Sequence, residues 1–210
     1  MFPKYQFEFK RPHPSSDFKN AFVKIIRDVN EGAGVESLLY KDDKVIVLYD
    51  AFPKARFHCL VIPRDEKIEY LSDLKKEHIP LLEHMKMIGS KLIEHIEGTN
   101  DVKSGFKMGF HAIPSIKVLH LHVISQDFVS NHLKKPHHYN SFATDFFILI
   151  ENVINTLMEQ GEYKVDEEKS KKMVDKKEML CLKTGKVFKS LGQLKPYLQH
   201  RNEPNKEFFS

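Results

Sequence analysis

The run Val118-Leu-His-Leu-His-Val-Ile-Ser constrains the fold more than any other part of this 210-residue chain. Apolar residues and histidines alternate in it, and a period of two is the period of a β-strand. His120 and His122 therefore share one face of a sheet. Leu119, Leu121 and Val123 share the other face and point into a core. One side of the strand belongs to packing, and the other presents two imidazoles to a common space.

Further strands can be read around it. Ser37–Tyr40 and Lys44–Tyr49 form two short strands joined by the turn Lys41-Asp42-Asp43, and His58–Ile62 forms a third, stopped by Pro63. This spacing predicts an antiparallel meander. Lys107–Ala112 and Val118–Ser125 add two more strands, separated by the loop 113–117. Helical spacing appears in three places. Phe18, Phe22, Ile25, Ile26 and Val29 follow an N-cap offered by Ser15-Ser16-Asp17. Residues 68–97 carry Leu81, Leu82, Met85, Ile88, Leu92, Ile93 and Ile96 at intervals of three and four, and residues 146–159 repeat the pattern. Between these, residues 126–145 are polar and histidine-rich, and 162–178 alternate in charge like a solvated linker or helix edge. The expected class is α+β: a central antiparallel sheet flanked by helices, with a small C-terminal unit. The divisions are an arm and helix over 1–35, a main domain over 36–162, a charged linker over 163–178 and the terminal unit over 179–210.

Composition excludes some classes. The net charge is +4, too mild to argue nucleic-acid binding alone. Two cysteines, Cys59 and Cys181, cannot build a disulfide framework, and a reducing compartment is the default. The first residues, Met-Phe-Pro-Lys-Tyr, contain no apolar signal core, so secretion is not expected, and no apolar run is long enough to span a membrane.

Two imidazoles on one face suit phosphate chemistry: a neutral nitrogen attacks phosphorus while the second ring holds non-bridging oxygens. The same spacing would serve two zinc ligands, although a closed site needs four. It also fits two histidines merely facing solvent. Ser115, five residues before His120, could contact a phosphate through its hydroxyl and amide. Asp50 could bind ribose hydroxyls, or could simply cap the turn before Pro53.

The segment Leu119-His-Leu-His-Val-Ile-Ser resembles the signature of the histidine-triad nucleotide hydrolases and transferases. Collinear stretches over residues 37–160 resemble the aprataxin branch of that family: Leu39-Tyr-Lys-Asp, Pro53-Lys-Ala-Arg-Phe-His, Leu60-Val-Ile-Pro, Gly109-Phe-His-Ala-Ile-Pro-Ser, His122-Val-Ile-Ser-Gln-Asp-Phe and His138-Tyr-Asn-Ser-Phe. The resemblance implies a histidine-triad fold and a DNA 5′-adenylate hydrolase that works in single-strand break repair without a catalytic metal. His120 would attack the adenylate phosphorus and carry AMP. His122 would hold the α-phosphate with Ser115, Asp50 would hold the ribose, and His138 would assist the departing DNA 5′-phosphate. Lys54 and His58 would support the pocket, and His111 would lie near the scissile phosphates. One departure is evident: Val118 stands in the place of the family's first histidine, on the side of His120. Any hydrogen bond from that histidine must be absent or come from elsewhere.

The resemblance extends to DNA contacts. Phe18 is the candidate to stack on an exposed base pair, with core packing as the alternative. Lys4, Lys10, Arg11 and Lys19 could touch phosphates, as could Lys183, Lys186, Lys189 and Lys195 of the terminal unit. That unit resembles a zinc finger with an incomplete ligand set. Cys181 holds the first place, Thr184 the second, and Tyr197 lies near the third, with His200, Glu203 and Glu207 as substitutes after a register shift. Threonine is a poor zinc ligand, so structural zinc is doubtful and a finger-like fold without metal is expected.

The expected partner is DNA with a 5′-adenylated nick or end, with RNA–DNA junctions left open and AMP as product. A monomer without membrane attachment, located in the nucleus, is the expectation. The phosphopeptide-binding domain of animal relatives is not seen, so recruitment by phosphorylated scaffolds is not implied. Two other functions stay open: a histidine-triad phosphoramidase or dinucleoside hydrolase on free nucleotides, and a non-catalytic binder of strand breaks.

Overall fold

The computed structural model describes residues 2–3 and 17–202. Six strands form one antiparallel sheet: β1 (Leu38–Lys41), β2 (Val45–Tyr49), β3 (His58–Pro63), β4 (Phe106–His111), β5 (Leu121–Ser125) and β6 (Phe147–Leu149). Their spatial order is β1-β2-β3-β5-β4-β6. The first three make the predicted meander. The histidine strand β5 then lies between β3 and β4, with His122 opposite Leu60 on one side and Gly109 on the other.

Alternation sorts the side chains as the sequence requires. On one face, Leu82, Met85, Ile88, Leu92 and Ile96 of α2 (Ile79–Thr99) pack on Cys59, Val61, Leu121 and Val123. Gly89 lets that helix come close, since a Cβ there would sit 2.5 Å from the Met108 sulfur. Ile150, Val153, Ile154 and Leu157 of α4 (Ile150–Gln160) complete this core. On the other face, Phe22, Ile26 and Val29 of α1 (Ala21–Asn30) cover Ile46, Leu48, Leu60, Ile62 and Val118. With helices on both sides, every residue of β2, β3 and β5 is buried. Each large aliphatic so removed from water contributes about 1.5–3 kcal/mol.

Several local expectations are corrected. The helix expected over 68–97 begins only at Ile79, with 3-10 turns at Leu71–Asp73 and Lys76–His78 before it. Pro80 explains the start, because proline lacks an N–H and is tolerated in the first helical turn. The start of the helix expected over 146–159 is strand β6, recruited by pairing of Phe147 with His111 and Ile148 with Phe110. The polar stretch 126–145, where no element was expected, contains a helix, α3 (Pro136–Ala143), and the charged stretch 162–178 contains α5 (Glu167–Val174), in keeping with its helix-edge alternative. The Asp166 carboxylate caps α5 by accepting the Lys169 amide at 3.0 Å. At the first helix the Asp17 carboxylate accepts from the Asn20 side chain and makes no backbone cap. Strand β5 is shorter than 118–125, because Val118 adopts φ +70°. That is a strained conformation for a β-branched residue. It is held from both sides, by Lys117 N–H on the Lys19 carbonyl (2.9 Å) and Leu119 N–H on the Ile68 carbonyl (2.8 Å).

The C-terminal unit comprises the hairpin β7 (Met179–Leu180) and β8 (Val187–Phe188) and the helix α6 (Leu191–Asn202). Met179, Cys181, Phe188, Leu194 and Leu198 share one apolar cluster with Leu133, Tyr139 and Phe142 of the main domain. Tyr139 donates its hydroxyl to the Leu180 carbonyl at 2.9 Å, and the buried Asn140 amide donates to the Lys176 carbonyl at 2.7 Å. Both cysteines are buried, and no disulfide joins them. Among the described residues, no helix is long and apolar enough to cross a membrane.

Candidate active site

A cavity of about 970 Å³ opens on the α1 face of the sheet. Asp50, Lys54, His58, His111, Ser115, His120, His122 and His138 all line it. These residues come from the end of β2, the following loop, β3, the end of β4, the loop 112–120, β5 and α3. The sequence-derived set is thus brought together, although Ser115 is exposed where the histidines of the floor are largely buried.

The hydrogen bonds decide which nitrogens carry protons. The His120 Nδ1 lies 2.9 Å from the Val118 carbonyl, which only accepts. Nδ1 is therefore protonated, and the neutral ring keeps its lone pair on Nε2. Burial lowers the His120 pKa, against the opposing pull of the Val118 carbonyl and Asp50, so the ring is neutral near pH 7. His120 thus takes its orienting bond from the backbone of residue 118, which needs no histidine side chain there. The valine side chain itself packs into the cluster beneath α1.

His122 is set by a relay. The Lys54 amide donates to His58 Nδ1 at 3.1 Å, so the proton of neutral His58 lies on Nε2. That N–H points to His122 Nδ1 at 2.9 Å and lies 3.5 Å from the Asp50 carboxylate. His122 must then hold its own proton on Nε2, which is buried and has no hydrogen-bond partner. Burial pushes His58 down to about 4 and lowers His122 well below the usual imidazole value, so both rings are neutral. His111 is lowered in the same way, and its Nε2 is also buried without a partner, in a ring 4.4 Å from that of His122. Two unsatisfied imidazole nitrogens beside a free lone pair form a site prepared for an anion's oxygens.

The carboxylate and the rim complete it. Asp50 caps its turn, accepting the Phe52 amide at 2.7 Å, and also faces the cavity. Burial works against ionising this carboxyl, but His58, Lys54 and the Phe52 amide overcome it and hold the pKa below its ordinary value. Lys54 donates to the Phe52 carbonyl, and burial lowers its pKa. The His138 ring has two backbone partners in the loop before it, the Lys134 amide, which lies 3.2 Å from Nδ1, and the His132 carbonyl; burial is the first cause that lowers its pKa to about 4, against the pull of that carbonyl. Asp50, His58 and His122 offer three ligand atoms within 4.8 Å of one another, the one such group among the described residues. A cation there would have to displace the proton shared by the two histidines.

Other lining residues were not singled out from the sequence. Phe142 packs against His58, His111 and His122 with ring centroids at 5.3, 4.6 and 5.2 Å. Its place in the stretch His138-Tyr-Asn-Ser-Phe was the available signal. Phe22, Ile25, Val35, Leu48 and Leu60 form an apolar chamber beside the histidines, and His132, Lys134 and His137 lie on the rim. Phe18 lies at the mouth and is 40% exposed, which favours a surface role over core packing.

The terminal unit divides its lysines. Lys183, Lys186 and Lys189 are exposed, and the Lys186 ammonium lies over the Phe188 and Tyr197 rings at 5.4 and 5.1 Å. Lys195, expected on the basic face, instead donates inward to the Ser130 and Leu133 carbonyls. Lys4, Lys10, Arg11, Glu203 and Glu207 lie outside the described residues.

Two family models match the chain. One, described as "Scavenger mRNA decapping enzyme C-term binding", covers residues 22–138, and a "C2HE / C2H2 / C2HC zinc-binding finger" covers 143–203. Aprataxin of Gallus gallus is 40% identical over 161 residues, which are 77% of this chain and 49% of that protein. A HIT domain-containing protein of Dictyostelium discoideum is 44% identical over 148 residues, 68% of this chain and 38% of the relative. The chain thus spans about half or less of the length of these relatives. The crystal structure of the aprataxin ortholog Hnt3 in complex with DNA superposes with a TM-score of 0.67 at 25% identity, covering 88% of this chain and 94% of that one.

The finger match implies zinc, and the residues present do not fit it. Cys181 is buried, His200 is exposed, and no group of three ligands includes either among the described residues. At the second and third ligand places, the Tyr197 hydroxyl donates to Thr184 Oγ1 at 3.0 Å. Each of those oxygens is a neutral hydroxyl already paired with the other, which is a poor donor set for a metal. The first model, by contrast, spans more than half of the chain over the sheet and its histidines, and the protein therefore belongs to that family, as an aprataxin-like member.

Proposed function

We propose that this chain is a DNA 5′-adenylate hydrolase, removing AMP from the 5′-5′ pyrophosphate left by abortive ligation. One observation carries the reading: a neutral His120 whose Nε2 lone pair faces the cavity beside the unpartnered Nε2–H of His122. The relatives named aprataxin and the DNA bound in the Hnt3 crystal support adenylated DNA as substrate.

In the proposed reaction His120 Nε2 attacks the adenylate phosphorus. The P–N bond forms as the bridging P–O bond breaks, and the electron pair leaves with the DNA 5′-phosphate. His122 and His111 hold the non-bridging oxygens, and Asp50 holds the ribose. His138 contacts the departing phosphate. Water then cleaves the P–N bond, releasing AMP and free His120. A donor that strengthens as charge develops contributes on the order of 10²–10³ in rate. Phe18 stacks at the end of the opened duplex, and Lys183, Lys186 and Lys189 meet its backbone. Acting on DNA, the protein works as a monomer in the nucleus. Its terminal finger holds together without zinc, through the Thr184–Tyr197 hydrogen bond and the shared apolar cluster.

The test is AMP release from a duplex with a 5′-adenylated nick, by the wild type and by His120→Ala. Turnover by the wild type alone supports the proposal. Tight binding with no turnover by either protein supports a non-catalytic binder, and turnover confined to free dinucleoside polyphosphates supports a nucleotide hydrolase. Metal analysis of the purified chain checks the finger, and one tightly held zinc per chain would overturn the metal-free reading.

A further inference from the structure

Among the described lysines of the C-terminal unit, Lys195 is the one turned toward the main domain. Its ammonium on α6 donates to the carbonyl of Ser130 at 3.0 Å and to that of Leu133 at 3.3 Å. Bonds from a charged donor to carbonyls are stronger than neutral ones. Both carbonyls belong to the loop that leads into α3.

That loop is held from the other side as well. The Ser130 hydroxyl donates to the Pro53 carbonyl, beside Lys54, and accepts the His132 amide at 3.0 Å. Leu133 is buried in the cluster that includes Leu194 and Leu198 of α6. The next amide along the chain is that of Lys134, and it donates to His138 Nδ1 at 3.2 Å. One ammonium from the terminal unit thus fixes the segment whose following N–H orients the rim histidine.

We propose that Lys195 is a positioning residue for His138: it sets the loop 130–134, and through the His132 carbonyl and the Lys134 amide of that loop it fixes the orientation and tautomer of His138. The consequence for rate rests on the adenylate-hydrolase reading, but the consequence for the His138 tautomer does not. The terminal unit then contributes to the geometry of the leaving-group side as well as to DNA contact.

The experiment compares Lys195→Met and Lys195→Arg with wild type in the full chain. Three quantities are read: AMP release at saturating adenylated nick, affinity for an unadenylated nicked duplex with its salt dependence, and the nitrogen NMR shifts of His138. K195M is expected to slow release at saturation roughly tenfold, as misplacement of a reacting group does. Its affinity and salt slope should match wild type, its His138 should become a mixture of tautomers, and K195R should recover most of the rate. Weaker binding with a flatter salt slope and an unchanged saturating rate would make Lys195 a phosphate contact and overturn the proposal. Unchanged His138 shifts would overturn it too. A wild type that releases no AMP sinks the functional reading alone, because the His138 shifts still decide this one. If K195M does not fold, Lys195→Gln, which keeps one neutral N–H donor, is put through the same readouts.

Discussion

Replacing His58 by phenylalanine separates packing from proton placement in the relay. The His58 ring is 1% exposed and packs edge-on against Phe142, and phenylalanine preserves that volume. Two hydrogen bonds disappear, that from the Lys54 amide at 3.1 Å and that to His122 Nδ1 at 2.9 Å. Each leaves a buried polar atom without a partner, at about 1–3 kcal/mol apiece. Relief from burying the His58 imidazole offsets part of this, so a net loss of about 2–4 kcal/mol is expected. The larger effect is on rate. Without the His58 N–H, nothing obliges His122 to keep its proton on Nε2, and a phosphate-facing donor is lost. A drop of about 10²–10³ in single-turnover AMP release from an adenylated nick follows. Urea unfolding measures the first quantity and rapid quench the second. His58→Gln, which offers both an acceptor and a donor, should recover part of the rate. A folded H58F that releases AMP within about threefold of wild type would refute the relay.

Other consequences of the geometry are as directly checked. The buried histidines His58, His111, His120 and His122 all have folded pKa values below the unfolded value, His58 near 4. The unfolded chain therefore binds more protons below pH 6.5, so stability should be level above that pH and decline as pH falls toward 4, by about 1.4 kcal/mol per pH unit for each histidine in its titration range; urea midpoints that do not change between pH 7 and 5 would contradict this. Val118→Ala keeps the carbonyl that binds His120, so it should cost about 1–2 kcal/mol of stability through lost packing while changing AMP release less than about threefold; loss of activity in a folded V118A would show that the side chain matters. Gly109→Ala would place a Cβ 2.6 Å from the Ile148 carbonyl and 2.9 Å from the Phe147 ring, so a lower melting temperature, worth about 1–3 kcal/mol, is expected from the strain on the pairing of β4 with β6. Phe18→Ala should weaken binding to a nicked duplex by roughly tenfold with little effect on the rate at saturation, because base stacking contributes about 1–3 kcal/mol; unchanged affinity would remove Phe18 from the DNA surface.

The sequence by itself determined which residues share the site. A period of two put His120 and His122 on one face and Leu121 and Val123 on the other, and the meander before them followed from short alternating runs. The collinear stretches named Lys54, His58, His111, Ser115 and His138, and Asp50 was read from its place at the end of a strand; all of them line one cavity. Propensity could not reveal β6, because Phe147 and Ile148 become a strand only by pairing with His111 and Phe110. Nor could it say what Val118 contributes, since a carbonyl hydrogen bond leaves no mark on side-chain identity. What only the tertiary structure decided is where the protons sit. The His122 tautomer depends on His58, 64 residues earlier, and the orientation of His138 on a loop gripped by Lys195. A hydrogen atom's position on an imidazole is set by whichever donors and acceptors the fold brings within about 3 Å of each nitrogen, and spacing along a chain does not encode that distance.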